Sequence, residues 1–301
     1  MTKPLHIEGA FTALVTPFTS NSESIDFEAF DGLVRDQLQG GIHGLVPCGT
    51  TGESPTLSDD EQFEVIRHTV QIVSGRVPVI AGASSNCTHK TIKLAQRALE
   101  AGANAVMVVM PYYNKPTQEG LLAHITTVAS QIGGAPVVLY NIPGRSVVDL
   151  SNDTLARAIE ACPNVCVVKD ATGNVLRCQA MIKRFGNALT VMCGDDALTM
   201  PMMAVGAKGV ISVTSNVLPD RVAEVCNLMR DGRWNEARAA HLRLLPVHDA
   251  MFVEANPGPA KTALANVGKI KPSLRLPLVP PNAASRDTVI AAIARFHEGK
   301  P

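Results

Sequence analysis

The chain has 301 residues, of which 46% are apolar and 18% charged, so it can bury a large core and is neither disordered nor fibrous. Its 27 basic and 27 acidic side chains cancel formally, without a block of like charge, which argues against nucleic acid or an anionic membrane as a partner. No apolar run is long enough to span a bilayer. The length fits either two ordinary domains or one large barrel with an addition.

The N-terminal segment and the cysteines both favour a cytoplasmic location. Residues 1–9 lack the apolar stretch of a signal peptide, so we expect a cytoplasmic protein. The seven cysteines are odd in number and include no Cys-x-x-Cys pair, and the eight histidines show no metal-ligand spacing. Small buried thiols in a reducing cytosol are the favoured interpretation. We therefore predict no disulfide, no metal and no cofactor.

Eight short apolar runs recur along the chain, and a longer amphipathic stretch follows each of them. The runs are apolar on both faces, which is typical of parallel strands covered by helices. A capping box at Ser58–Glu61 marks one helix start, and Gly102, Gly186 and Gly206 lie where helices should end. The eight runs are 11–15, 44–48, 77–81, 105–109, 136–140, 165–169, 189–193 and 209–213.

Strict alternation of eight strands with helices predicts an α/β fold of the (β/α)8 TIM-barrel type. A doubly wound open sheet is the rival, but no Gly-x-Gly-x-x-Gly follows the first strand. Beyond residue 230 no strand-like run appears, and three helical stretches are separated by Pro- and Gly-rich breaks. We therefore predict a catalytic barrel over residues 1–230 and a C-terminal helical appendage over residues 231–301.

The active site of such a barrel lies at the carboxyl ends of its strands. Six predicted strands end in, or contain, groups able to bind or transform a small acid. They are Gly49–Glu53 after strand 2, Pro111–Asn114 after strand 4, Tyr140–Arg145 at strand 5, Lys169–Gly173 at strand 6, Gly194–Asp196 after strand 7, and Ile211 within strand 8.

Lys169 is the most informative single residue, because it ends the apolar run 165–168 and should point into the barrel mouth. Desolvation there disfavours the ammonium and favours the neutral amine that attacks a carbonyl. The alternative is a structural ion pair with a buried carboxylate such as Asp170.

The neighbouring segments supply binding groups. The turn with Thr50 and Thr51 offers amides and hydroxyls to a carboxylate, although a plain structural turn is the default reading of so short a motif. Tyr140 and Tyr113 could relay protons, against the alternative of merely hydrogen-bonded tyrosines. Arg145 could hold a second carboxylate, or simply be solvated. The combination favours a metal-free Schiff-base lyase or aldolase that acts on a 2-oxo acid.

These segments together resemble the dihydrodipicolinate synthase (4-hydroxy-tetrahydrodipicolinate synthase) family, within the superfamily of N-acetylneuraminate lyase and class I aldolases. The resemblance covers nearly the whole chain. The motifs that carry it are Gly49-Thr-Thr-Gly-Glu-Ser54, Pro111-Tyr-Tyr-Asn114, Tyr140-Asn-Ile-Pro-Gly-Arg145, Lys169-Asp-Ala-Thr-Gly-Asn174, Gly209-Val-Ile-Ser-Val213 and Phe252-Val-Glu-Ala-Asn-Pro257.

The resemblance implies a lysine-biosynthesis enzyme that condenses pyruvate with L-aspartate 4-semialdehyde. It implies an imine on Lys169 and a homotetramer of two tight dimers, in which Tyr113 reaches the neighbouring subunit's site. The implied roles of the other residues are a proton relay (Thr51, Tyr140 and Tyr113), a clamp for the semialdehyde carboxylate (Arg145) and a pyruvate pocket (Thr50, Thr51, Gly194 and Ile211).

Two alternatives remain open at this point. Lyases of the N-acetylneuraminate type share the barrel, the lysine and the tyrosine, but they typically have a serine at the first threonine and no arginine at the position of Arg145. A catalytically silent relative that binds a keto acid belongs to another class, and nothing beyond the general separation of fold from function supports it.

One departure from the family concerns regulation. In lysine-inhibited members, the resemblance places feedback lysine in a dimer-interface cleft, and this sequence keeps Ser54, Asn86 and Tyr112 of that allosteric cleft. However, Lys90 stands where such members have a glutamate, and a cation there should repel the lysine ammonium. We therefore predict weak or absent feedback inhibition.

Overall fold

A computed structural model describes residues 6–299, so part of the segment used to predict the absence of a signal peptide lies outside the described residues. Eight parallel strands alternate with helices, which confirms the predicted (β/α)8 barrel with C-terminal helices. The strands are β1 Gly9–Ala13, β2 Gly44–Val46, β3 Ile80–Gly82, β4 Ala105–Val109, β5 Val137–Asn141, β6 Val165–Asp170, β7 Thr190–Cys193 and β8 Gly209–Ser212.

The helices follow the strands in the order that the sequence predicts. Asp26, Ser58, Thr117 and Ser151 cap four of them with side-chain oxygens, and the capping box at Ser58 and Glu61 is present. They are α1 Phe27–Gln39, α2 Asp59–Val73, α3 Thr88–Glu100, α4 Gln118–Ser130, α5 Pro143–Ser146, α6 Asn152–Ala161, α7 Val175–Phe185, α8 Thr199–Ala204, α9 Pro219–Arg230, α10 Trp234–Ala250, α11 Gly258–Asn266 and α12 Ala283–Glu298.

The barrel closes between β2 and β3. The strands pair in the order β2-β1-β8-β7-β6-β5-β4-β3, and a parallel bridge between Leu45 and Val79 joins the two ends. The Leu45 amide donates to the Pro78 carbonyl at 3.0 Å. The strand β3 begins later than the predicted run, at Ile80, because Pro78 has no N–H and the Val79 amide donates to Asn104 Oδ1 at 2.8 Å rather than to the ladder.

Two apolar layers hold the fold together. One fills the barrel interior with alternate residues of the strands, among them Phe11, Val138 and Met192. The other lies between the sheet and the helices. Gly44 makes room inside the barrel, because a Cβ there would lie 2.0 Å from the Phe11 ring. A densely packed interior of this kind holds the strand ends in fixed positions.

The last three helices pack on the barrel and on one another. The helix α10 packs on α9, and α12 packs on both α10 and α11. Within residues 6–299, no helix is both long and apolar enough to cross a membrane.

Candidate active site

The strands β5 and β6 place Tyr140 and Lys169 side by side. The two residues are direct partners in the register of the sheet, and both side chains follow interior positions, after Val138 and Val167 respectively. Lys169 is only 5% exposed, and its Nζ lies 4.1 Å from the centre of the Tyr140 ring. A buried amine is therefore held against the face of a phenol at the carboxyl ends of the strands.

Asp170 points away from Lys169, so the ion pair that competed with the catalytic interpretation does not form. The Asp170 carboxylate is buried and accepts from Arg177 Nε at 2.9 Å and from the Thr172 hydroxyl at 2.6 Å. No ion pair joins Lys169 to any carboxylate within residues 6–299. In the described part of the chain, Lys169 therefore has no structural role in an ion pair.

The turn after β2 presents its two threonines differently. The Thr50 side chain is half-buried, whereas Thr51 is buried, and its Oγ1 accepts a hydrogen bond from Asn256 Nδ2 at 3.0 Å. Gly82 permits the close approach of β3 to this turn, because a Cβ on Gly82 would lie 2.0 Å from the Cys48 carbonyl oxygen. Burial raises the pKa of the Cys48 thiol, so this cysteine stays protonated and is no rival nucleophile.

A cavity of about 280 Å³ opens at this end of the barrel. It is lined by Thr50, Tyr140 and Arg145, which the sequence assigns to the site. Arg145 lies on the short helix α5 directly after β5 and is exposed at the cavity mouth. Ser54 and Tyr112, from the predicted allosteric cleft, line the same cavity. Residues predicted to bind substrate and residues predicted for the allosteric cleft therefore share one opening, which Lys169 does not line.

Gly194 and Ile211 lie on the opposite side of the barrel mouth. Ile211 belongs to the interior cluster that contains Tyr140. The Gly194 amide donates to the Asp170 carbonyl at 2.7 Å, and a Cβ on Gly194 would lie 2.7 Å from the Ala171 Cβ. The chain after β7 thus packs tightly against the end of β6, one residue beyond Lys169.

Tyr113 is not brought to the other site residues. It is 88% exposed, does not line the cavity, and has a left-handed backbone with φ of 74°. The next residue, Asn114, donates from Nδ2 to the backbone carbonyl of Asn86 at 2.9 Å. The loop after β4 is thereby tied to the loop after β3, with the Tyr113 phenol directed to solvent.

The structure adds functional candidates that sequence reasoning did not identify. Asn256, from the segment between α10 and α11, contacts Thr51, and Lys261 of α11 forms a fully buried ion pair with Glu53. The only sequence signal for Asn256 was its place in the family motif at 252–257. Nothing in the pattern of residues indicates that this motif lies beneath the turn after β2.

A (β/α)8 barrel with a buried lysine amine at the carboxyl ends of its strands and a phenol beside that amine is the arrangement typical of Schiff-base lyases. The chain belongs to the dihydrodipicolinate synthetase family, whose model matches residues 6–295. This match confirms the family that the motifs indicated.

Relatives that are similar to the chain over nearly its whole length are named as 4-hydroxy-tetrahydrodipicolinate synthases. A 4-hydroxy-tetrahydrodipicolinate synthase of Sorangium cellulosum is 56% identical over 97% of this chain and 97% of its own length. That of Geobacter metallireducens is 45% identical over 97% and 99%. These relatives confirm the prediction of a lyase with 4-hydroxy-tetrahydrodipicolinate synthase activity in lysine biosynthesis.

Solved structures agree with the fold over nearly the whole chain. Dihydrodipicolinate synthase from Aquifex aeolicus superimposes with a TM-score of 0.94 at 40% identity, covering 97% of this chain and 98% of its own. The chloride-inhibited synthase from Acinetobacter baumannii, complexed with pyruvate, gives 0.94 at 38% identity, covering 97% and 99%. A monomeric variant of a dihydrodipicolinate synthase gives 0.93 at 39% identity, covering 96% and 97%.

Proposed function

We propose that Lys169 carries the reaction as the nucleophile. Its neutral amine attacks the carbonyl carbon of pyruvate, water leaves, and an imine forms. The protonated imine withdraws electrons, so a C3 proton departs to give an enamine. The enamine carbon then bonds to the aldehyde carbon of L-aspartate 4-semialdehyde, whose oxygen takes up a proton. The amino group of the semialdehyde finally attacks the regenerated imine carbon, which closes the ring and releases the Lys169 amine. The observation that carries this proposal is the buried Lys169 amine against Tyr140, without a carboxylate partner in the described range 6–299.

We propose that Tyr140, Thr51 and Tyr113 relay protons during these steps. Tyr140 supports this role best, because it contacts the Lys169 amine and also lines the cavity. Thr50 is an alternative to Thr51 as the relay residue, because Thr50 lines the cavity and Thr51 does not. The variants Thr50→Val and Thr51→Val separate the two. Loss of the relay hydroxyl lowers kcat, whereas loss of a hydroxyl that only binds the pyruvate carboxylate raises KM for pyruvate.

We propose that pyruvate rests between the turn after β2 and the chain after β7. Thr50, Thr51 and the turn amides hold its carboxylate, and Gly194 and Ile211 line the opposite wall. Ile211 and Tyr140 belong to the same apolar cluster of the barrel interior, which supports this placement. The cavity of about 280 Å³ that Thr50 and Tyr140 line lies beside this position.

Arg145 is proposed to bind the carboxylate of the semialdehyde, because its exposed guanidinium lies at the mouth of the cavity. The variant Arg145→Ala should raise KM for the semialdehyde at least tenfold. It should leave borohydride trapping of pyruvate close to that of the unaltered protein. Loss of the pyruvate adduct in this variant would contradict the assignment.

A homotetramer built from two tight dimers is proposed, with Tyr113 completing the partner's site. The exposed phenol supports this arrangement, because a relay residue directed to solvent needs a second chain to become useful. We further propose a cytoplasmic location, a catalytic barrel over residues 1–230, a helical region over residues 231–301, and an allosteric cleft that includes Ser54, Asn86 and Tyr112.

The substrate test uses pyruvate with either L-aspartate 4-semialdehyde or N-acetylmannosamine. We expect turnover with the semialdehyde only, because Arg145 offers a cation to its carboxylate and the aminosugar has none. Turnover with N-acetylmannosamine alone would favour the N-acetylneuraminate lyase type. Absence of turnover with both, together with pyruvate binding, would favour a silent relative.

A further inference from the structure

The turn that carries the two threonines is held from outside the barrel. Asn256 lies between α10 and α11 and is 5% exposed, and its Nδ2 donates to Thr51 Oγ1 at 3.0 Å. The two residues are 205 positions apart in the chain. Asn256 Oδ1 is buried and has no hydrogen-bond partner within residues 6–299. Among the described residues, the contact with Thr51 is thus the one hydrogen bond of the Asn256 side chain.

The direction of this hydrogen bond decides what the Thr51 hydroxyl can do. A hydroxyl has one hydrogen and two lone pairs, and Asn256 occupies one of the lone pairs. The Thr51 hydrogen is then free to be donated to another acceptor, such as a substrate carboxylate oxygen or a relay group. An acceptor at the position of Nδ2 would have the opposite effect, because it would draw the Thr51 hydrogen away from the site.

A second anchor from the same region holds the end of the turn. Glu53 forms an ion pair with Lys261 in which both side chains are fully buried, and Lys261 Nζ also donates to the Ser273 carbonyl at 2.9 Å. The Arg275 amide donates to Glu53 Oε2 at 3.1 Å. Two positions of one short turn are therefore fixed by residues beyond 230.

We propose that Asn256 is a positioning residue that orients the Thr51 hydroxyl as a hydrogen-bond donor into the active site. The C-terminal region thereby completes a site whose other groups lie on the barrel. This inference rests on the proposed role of Thr51 in binding or relay.

The test is a double-mutant cycle of Asn256→Ala and Thr51→Val, followed by steady-state turnover and by the rate of borohydride trapping of pyruvate. Asn256→Ala alone should lower kcat/KM about tenfold, as expected for a lost buried hydrogen bond that acts on the reaction. In the Thr51→Val background the same change should cost less than about twofold, because no hydroxyl remains to be oriented. A full tenfold loss in that background would overturn the proposal.

The variant Asn256→Asp tests orientation separately from packing. An aspartate has nearly the same shape, but its carboxylate accepts the Thr51 hydrogen rather than donating to its oxygen. We expect a loss of kcat/KM at least as large as that of Asn256→Ala, with near-UV circular dichroism unchanged. If Asn256→Ala fails to fold, Asn256→Asp tests the proposal by itself. Activity of Asn256→Asp equal to that of the unaltered protein would overturn the proposal.

Asn235→Ala is the matched control, because Asn235 lies exposed on α10 in the same C-terminal region, and its Oδ1 accepts from Arg238 Nη2 of the same helix at 3.2 Å. It should retain kcat/KM. Borohydride trapping in the unaltered protein keeps the two proposals apart. A pyruvate adduct on Lys169 together with an inert Asn256→Ala refutes only the positioning role, whereas no adduct refutes the proposed function itself.

Discussion

The Lys169 amine lies 4.1 Å from the centre of the Tyr140 ring, and the two residues are register partners on adjacent parallel strands. A ring face stabilises a nearby cation by electrostatic attraction, and the phenol adds a group that can donate or accept a proton. Tyr140 can thus stabilise the charge of the imine through its ring and move protons through its oxygen. These two contributions can be separated by substitution.

The variant Tyr140→Phe keeps the ring and removes the phenol. We expect turnover to fall about 100-fold, the range of a lost general acid–base group, while pyruvate trapping on Lys169 persists. Tyr140→Leu removes the ring as well, and trapping should then weaken too. Full turnover by Tyr140→Phe would show that the phenol takes no part in proton transfer.

The exposed Tyr113 should act in a neighbouring copy of the chain. Co-expression of Lys169→Ala with Tyr113→Phe should restore about a quarter of the full activity, because half of randomly formed dimers are mixed and each mixed dimer has one intact site. Each variant alone should be nearly inactive. Mixed dimers without restored turnover would indicate that Tyr113 serves its own chain or none.

Lys90 should keep feedback inhibition weak. Its side chain lines the same cavity as Ser54 and Tyr112, and its Nζ lies 3.4 Å from an Asp59 carboxylate oxygen. Lysine added to the unaltered protein should inhibit only at high concentration, because the two ammonium groups repel each other. Lys90→Glu should make inhibition stronger, and Lys93→Glu, the same charge change at an exposed position of α3, should not. Strong inhibition of the unaltered protein would contradict this account.

Stability should fall in mild acid because of a buried histidine. His124 packs between α4 and α3, where its Nδ1 lies 2.9 Å from the Thr88 hydroxyl, and burial lowers its pKa to about 4. The unfolded chain binds this proton near pH 6.5, so between about pH 6.5 and 4 the unfolded state binds more protons. Stability is therefore lost as the pH falls through that window, by about 3 kcal/mol at most.

Urea unfolding at pH 7 and at pH 4.5 measures this loss. His124→Asn keeps a polar group near Thr88 without a titrating ring, so the difference in free energy of unfolding between the two pH values should shrink. The exposed His89→Asn on α3 should leave that difference unchanged. Equal differences in all three proteins would mean that His124 is protonated as easily in the folded chain as in the unfolded one.

Local pattern was sufficient to predict the barrel and the position of its central lysine. The apolar run before Lys169 becomes β6, and parallel strands necessarily bring their carboxyl ends together. The competing pair with Asp170 was decided by the alternation of side chains along β6, which directs the carboxylate towards Arg177. The opposite directions of the Lys169 and Asp170 side chains could have been predicted from this alternation. The pairing of Asp170 with Arg177 on α7 could not.

The contacts of the turn after β2 could not be predicted from local pattern. Thr51 meets Asn256, and Glu53 meets Lys261, across more than two hundred residues. Such contacts depend on how the C-terminal helices pack against the barrel, and periodicity carries no information about that packing. For the same reason the sequence assigned both threonines to one site without distinguishing the half-buried Thr50 from the buried Thr51.

Trapping of pyruvate tests the central claim most directly. The protein is incubated with pyruvate, reduced with borohydride, digested and examined by peptide mass spectrometry, with Lys169→Ala as the control. The account predicts one reduced pyruvate on the peptide that contains Lys169, and none in the control. Lys261 is the informative competitor, because it is also buried and desolvation lowers its pKa to about 8. An adduct on Lys261, or no adduct at all, would contradict the account.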